Sequence, residues 1–224
     1  MKKLKRSEPL ARTTAGQALD LRPRSAPVQA RAKKTYENIL RAAAELLEAG
    51  GFDGLNTNLI AEHAGANISA VYKYFPNKYA ILAALTERLN DSQTELAIEY
   101  LRTVEKSASW EEKLTGTIDV MVKGTRNTPG VVALQGAMQA TPYLKAVYRR
   151  SNEMTVDVLI EMFESSGVNL PPRRKRLIGI CLGEIIPTML DLSVSEGKRF
   201  DRKIVNELKR MMIGYIRTYI DDQG

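Results

Sequence analysis

NTNLIAEHAGANISAVYKYFPNK, residues 56–78, holds three consecutive helix starts and the stops between them. Asn56 is a strong N-cap residue, because its side-chain oxygen can accept from the free backbone amides of a first helical turn. Leu59, Ile60 and Ala61 give the helix that follows an apolar side. Ala64-Gly65 closes it with the residue that turns left-handed most readily. Asn67 offers a second cap, and the spacing predicts a second short helix from Ile68 to Tyr74. Phe75-Pro76 ends that helix, since the residue before a proline is driven out of the α region. Asn77 caps a third. Two short helices joined by a Gly-containing turn form a helix-turn-helix, and the second would lie in a DNA major groove.

The order Ile60-Ala61, Ala64-Gly65, Asn67, Val71-Tyr72, Tyr74-Phe75-Pro76 and Asn77-Lys78 resembles the DNA-binding module of the tetracycline-repressor (TetR) family. The resemblance runs from Arg31 to about Leu89, and beyond it the chain matches the family only in length and helical pattern. It implies an all-α protein: an N-terminal three-helix, helix-turn-helix DNA-binding domain followed by a larger helical ligand-binding and dimerisation bundle. It also implies double-stranded operator DNA and a second copy of the chain as partners. A small-molecule effector inside the bundle would alter the spacing of the two DNA heads.

Charge distribution agrees with a DNA partner. The chain carries a net +7. Residues 1–78 hold 13 Lys+Arg against 7 Asp+Glu, whereas residues 79–224 hold 20 against 19. The excess sits beside the helix-turn-helix, where phosphates would need it. Residues 1–30 are basic, carry Pro9, Pro23 and Pro27, and show no apolar period, so they read as a disordered arm. Such an arm either lies along phosphates or the minor groove, or contacts nothing.

Three segments follow: the arm at 1–30, a DNA-binding domain at 31–78 with its motif at about 56–75, and a helical effector-binding and dimerisation domain at 79–224. Tyr36, Ile39, Leu40, Ala43, Leu46 and Leu47 recur at helical spacing and predict helix 1 from about Val28 to Ala49. Phe52, just after Gly50-Gly51, is expected to plug the three-helix core. Further helices are expected at 78–101, 111–126, 130–139, 143–164, 173–195 and 201–222, with no strand pattern and no repeat. Pro187 inside the penultimate helix should bend it, either beside a cavity or to suit the bundle's curvature.

Base readout is expected from Asn67, Ile68, Ser69 and Ala70, at the start of the second helix of the motif. Ile68 and Ala70 suit thymine methyls, and Asn67 and Ser69 suit base edges. Ile68 departs from the polar or basic residue common in the family at that position. Arg31, Lys34, Asn56, Tyr72, Lys73, Tyr74 and Lys78 are the phosphate candidates, with a core position as the lesser alternative for Tyr72 and for Tyr74. In the last two helices Leu177, Cys181, Ile185, Leu208, Met212, Tyr215, Ile216 and Tyr219 form apolar stripes expected at the dimer interface, unless the chain's own core takes them. Met121, Gln135, Met138, Gln139, Tyr148, Met154, Met162 and Met189 are candidate walls for an apolar or amphipathic effector, each with an alternative place in the core.

Other functions have little support in these residues. One histidine, His63, and one cysteine, Cys181, supply no metal cluster and no nucleophile-base pair, so neither an enzyme nor a cofactor is expected. No apolar run reaches membrane-spanning length, no secretory signal is evident, and a single cysteine suits a reducing cytoplasm. A DNA-binding factor of the same fold without an effector remains the alternative, with a carrier or enzyme using the bundle's cavity behind it.

Overall fold

The computed structural model describes residues 10–12, 18–195 and 199–221. The helices are α1 Ala30–Gly50, α2 Thr57–His63, α3 Ile68–Tyr74, α4 Lys78–Thr103, α5 Trp110–Asn127, α6 Val131–Ala140, α7 Lys145–Ser165, α8 Pro172–Leu192 and α9 Arg202–Asp221. The expected all-α class holds. Two very short antiparallel pairs accompany it: β1 Leu10–Arg12 with β2 Ala18–Asp20, and β3 Val194–Ser195 with β4 Arg199–Phe200. The second pair cuts α8 short of its expected end at residue 195. At that end buried Ser193 donates its hydroxyl to the Leu190 carbonyl, at 2.6 Å.

The chain forms two compact units. One runs through residue 88 and takes in 129–149; the other comprises 89–128 and 150 onward. Residues 129–149 belong to the 79–224 segment of the sequence-based division, yet they cluster with the head.

In the first unit α1 packs on α2, α3 and α6. Ile39, Ala43, Leu47, Leu55, Ile60, Val71, Phe75 and Ile81 fill its core. Tyr36 closes one side with an edge contact to Tyr74 at 5.6 Å and a tilted contact to Phe75 at 4.9 Å. Phe52 is not the plug expected of it. It stays half-buried at the rim, 6.0 Å from the Tyr79 ring, with the Lys78 ammonium 4.2 Å above its face. Phe75 and Leu55, both fully buried, fill the centre instead.

The second unit is built on Leu114, Ile118, Leu159, Phe163, Ile178, Leu182, Ile186, Leu208, Met212 and Ile216. A reciprocal capping box, Ser109 with Glu112, starts α5. Close approach of α7 and α8 depends on Gly179, where a β-carbon would meet Val156 Cγ1 at 2.9 Å. Beside it Asn152 Nδ2 donates to Glu184 Oε1 at 2.8 Å. Pro187 lies inside α8, as read from the sequence.

Candidate nucleic-acid interface

The helix-turn-helix forms as its caps dictate. Asn56 Oδ1 accepts from the amides of Asn58 and Leu59, at 3.1 and 3.0 Å. Gly65 takes φ 61°, and the Ala66 amide returns to the Ala61 carbonyl at 2.9 Å, closing the turn. Asn67 Oδ1 then accepts from the Ala70 amide at 2.7 Å and starts α3. Phe75, before Pro76, is extended and ends it. Asn77 Oδ1 accepts from the Ala80 amide at 2.9 Å at the start of α4. Two short helices and the long α4 are thus each started by an asparagine oxygen, satisfying amides that have no intrahelical partner.

Val71 and Tyr74 point inward from α3, which leaves Asn67, Ser69, Tyr72 and Lys73 exposed and Ile68 and Ala70 half-buried. Every residue expected to read bases therefore lies on or beside the outward face. Asn67's oxygen is committed to its cap, so only its Nδ2 donors remain for a ligand. Tyr72 is 41% exposed, and its hydroxyl meets Thr57 Oγ1 at 3.2 Å, tying α3 to the first turn of α2. Arg31 and Lys34 are exposed on α1, and exposed Asn56 keeps its amide nitrogen available.

Two phosphate candidates are engaged within the head. Tyr74 is only 4% exposed and packs against Tyr36, so it is a core residue. Lys78 donates to the Leu55 carbonyl at 3.0 Å and lies over Phe52; it caps the end of the α1–α2 loop. His63, read as a solvated surface residue, is exposed but bridges α2 to α1 by a 2.9 Å contact with Glu45 Oε2.

The disordered-arm reading is corrected over residues 18–29. Leu21 is 2% exposed, packed in the head. The Arg24 amide donates to the Tyr74 carbonyl at 2.7 Å, Arg24 Nη1 to the Tyr72 carbonyl at 3.0 Å, and Ser25 Oγ to the Lys73 carbonyl at 3.3 Å. Asn77 Nδ2 donates to the Asp20 carbonyl at 2.9 Å. Sequence reasoning missed this segment because its few apolar residues, Leu19, Leu21 and Val28 among them, show no sustained helical period. The expectation for residues 1–9 and 13–17 lies outside the described residues.

The second unit contains a small, partly open cleft among α4, α5, α7 and α8, with an enclosed volume of about 30 Å³. Asn90, Gln93, Thr94, Thr117 and Thr155 supply its polar wall, and Leu114, Ile118, Met121, Val158, Leu159 and Ile186 most of its apolar wall. Of the expected effector residues only Met121 lines it. Met162 belongs to the core, and Met154 and Met189 are half-buried elsewhere in the unit. Gln135, Met138, Gln139 and Tyr148 lie in the other unit, where Gln139 Nε2 donates to the Tyr148 hydroxyl at 3.3 Å.

The expected dimer stripe divides. Leu208, Met212 and Ile216 are at most 1% exposed within one chain, so they belong to its own core. Leu177, Ile180 and Met211 are about half exposed, and Cys181, Ile185, Tyr215 and Tyr219 are partly so. Burial and then hydrogen bonds to Tyr219 and Cys181 push the Tyr215 hydroxyl well above its ordinary range, so it stays a neutral donor.

Among the described residues no helix is long and apolar enough to cross a membrane, and no His/Cys/Asp/Glu group could hold a metal ion.

Comparison with known proteins matches residues 39–85 to the family model for bacterial regulatory proteins of the tetR family. Residues 108–220, just over half the chain, match the tetracyclin repressor-like C-terminal domain. The chain belongs to the TetR family. Over 51 residues it is 45% identical to the class A tetracycline repressor of transposon 1721 from Escherichia coli, covering 23% of this chain and 24% of that one. The class C repressor from the same organism is 43% identical over 57 residues, 25% of this chain and 26% of its own. The matched segment thus spans about a quarter of each curated relative. A TetR-family regulator from Streptomyces coelicolor has the same fold, with TM-score 0.66 and 24% identity over 84% of this chain and 98% of that one. The fatty acid degradation regulator FadR from Bacillus halodurans shares it at TM-score 0.62 and 16% identity, over 80% and 95%.

Proposed function

We propose that this TetR-family chain is a dimeric repressor that reads a near-palindromic operator through α3 and is released from it by a small molecule. The outward face of α3 carries the reading. Ser69 Oγ and Asn67 Nδ2 are the hydrogen-bonding groups for base edges, and Ile68 and Ala70 the apolar ones for thymine methyls. Lys73, Tyr72, Arg31, Lys34 and the Asn56 amide are exposed in the same unit and suit phosphates.

Two copies are needed because one short helix reads only a half-site. The exposed stripe of Leu177, Ile180, Cys181 and Ile185 on α8, beside Met211, Tyr215 and Tyr219 on α9, supports a two-fold four-helix interface. The cleft supports an effector that is uncharged and amphipathic. Its lining offers hydroxyls and amides among aliphatic side chains and no charged residue. The effector would act by preferring the dimer state in which the two heads no longer match successive major grooves. Such a regulator works in the bacterial cytoplasm, where its operator is.

Sedimentation at micromolar concentration, paired with binding to duplexes from the chain's own promoter region, tests the reading. A dimer with a log–log salt slope of about −5 to −7 is expected, from three or four neutralised phosphates per subunit. A monomer that ignores those duplexes overturns it. A thermal-shift screen with neutral amphipathic metabolites tests the release step, and stabilisation of the free protein by none of them favours a regulator without an effector.

A further inference from the structure

The last carbonyls of an α-helix have no intrahelical donor, and a seven-residue helix has little stability of its own. In this protein the carbonyls of Tyr72, Lys73 and Tyr74, at the end of α3, all receive donors from Arg24 and Ser25. The Arg24 guanidinium also sets a positive charge at the negative end of the helix. Leu21 anchors the same segment in the head core, and Asn77, which caps α4, grips the Asp20 carbonyl. Asp20–Ser25 is therefore fastened at both ends and lies across the close of α3. It precedes the residues that match the family's head, which begin at 39.

We propose that Asp20–Ser25 is a strap that positions α3 for sequence readout, with Arg24 and Ser25 as positioning residues. The strap fixes the axis and the last turn of the helix, and so fixes where Asn67–Ala70 meet base edges. The proposal rests on the reading that α3 enters the groove. It adds that discrimination between sequences, more than overall attraction to DNA, depends on a segment that touches no base.

The test uses the full chain and a duplex it selects from a random pool, alongside the same duplex with single base-pair changes in each half-site. In the Arg24→Gln, Ser25→Ala double variant the ratio of affinities for selected and changed duplexes should fall about tenfold, as loss of two hydrogen bonds that hold the helix end implies. The salt slope should move by less than one, and α3 amides should exchange faster with solvent in the free protein. Arg24→Lys, which keeps a charged donor, should restore most of the discrimination. Unchanged discrimination overturns the strap. So does a slope about two units shallower with discrimination intact, which makes Arg24 one phosphate contact per subunit. So does a lowered melting temperature with discrimination intact, which makes the segment structural only. If the full chain selects no duplex, the α3 reading fails and the strap proposal falls with it. Selection by the full chain with equal discrimination in the variant removes the strap alone.

Discussion

Gly130 lies hard against Ala44: a β-carbon on Gly130 would come within 2.3 Å of the Ala44 carbonyl oxygen. Gly130 is also the left-handed N-cap of α6, with φ 68°, so any side chain there is strained twice over. The contact is where α6 joins α1 in the first unit. Gly130→Ala should cost about 1–3 kcal/mol of stability, read as a lower urea midpoint. Gly136, within the same helix, has open space around its would-be β-carbon. Gly136→Ala should leave stability unchanged or raise it by up to about 1 kcal/mol. Equal midpoints for the two variants would refute the close approach.

Tyr72 and Tyr74 separate by burial. Tyr72→Phe removes an exposed hydroxyl bonded to Thr57, and should weaken duplex binding about five- to tenfold with little change in melting temperature. Tyr74→Phe should leave duplex affinity within about twofold. Tyr74→Ala opens the core beneath Tyr36 and should cost about 3–5 kcal/mol of stability. Titration of a labelled duplex, with thermal melts of the free variants, distinguishes the two roles.

Filling the cleft should uncouple ligand from DNA. Thr94 is half-buried on its wall, so Thr94→Phe can place a ring in the space with modest strain. Duplex affinity is expected to survive, while the thermal shift given by any effector found for the parent protein disappears. Retention of the full shift in the variant would place the effector elsewhere.

Asp191, near the end of α8, has its carboxyl pushed above the ordinary aspartate value of 3.8 by burial. Its folded state therefore binds the proton more tightly than its unfolded state. By linkage, this residue's contribution to stability falls as pH rises above the ordinary value through the raised one, and is recovered as pH drops back. Asp191→Asn removes that penalty. The variant's advantage in urea midpoint should be largest at neutral pH and shrink as pH approaches 4; an advantage constant across that window would show that its charge is irrelevant.

The head was legible because each boundary is written in a residue with a local mechanism. Asn56, Asn67 and Asn77 can only help where free amides await them, and Gly65 and Pro76 restrict the backbone directly. The strap has no such mark, since two of its bonds to α3 use side chains found on any basic loop and the third uses a backbone amide. Periodicity showed that α9 buries a stripe, but not against what. Leu208, Met212 and Ile216 face the chain's own core, while Met211, Tyr215 and Tyr219 border them outside. Methionines were the sequence's candidates for an effector wall, whereas threonines and amides on α4, α5 and α7, which carry no periodic mark, supply the polar side of the cleft.

All three helix starts in the reading module use a neutral amide where a carboxylate would serve the helix better. Aspartate offers the same acceptor and adds a favourable charge at the positive helix end. Near a polyanion that charge turns into a liability. Asn67→Asp should therefore hold or raise the melting temperature of the free protein while Coulomb repulsion weakens its grip on any duplex by about tenfold or more, most strongly in dilute buffer. A module capped this way forgoes some helix-end stabilisation, and the neutrality it keeps is what makes its leading edge acceptable to nucleic acid.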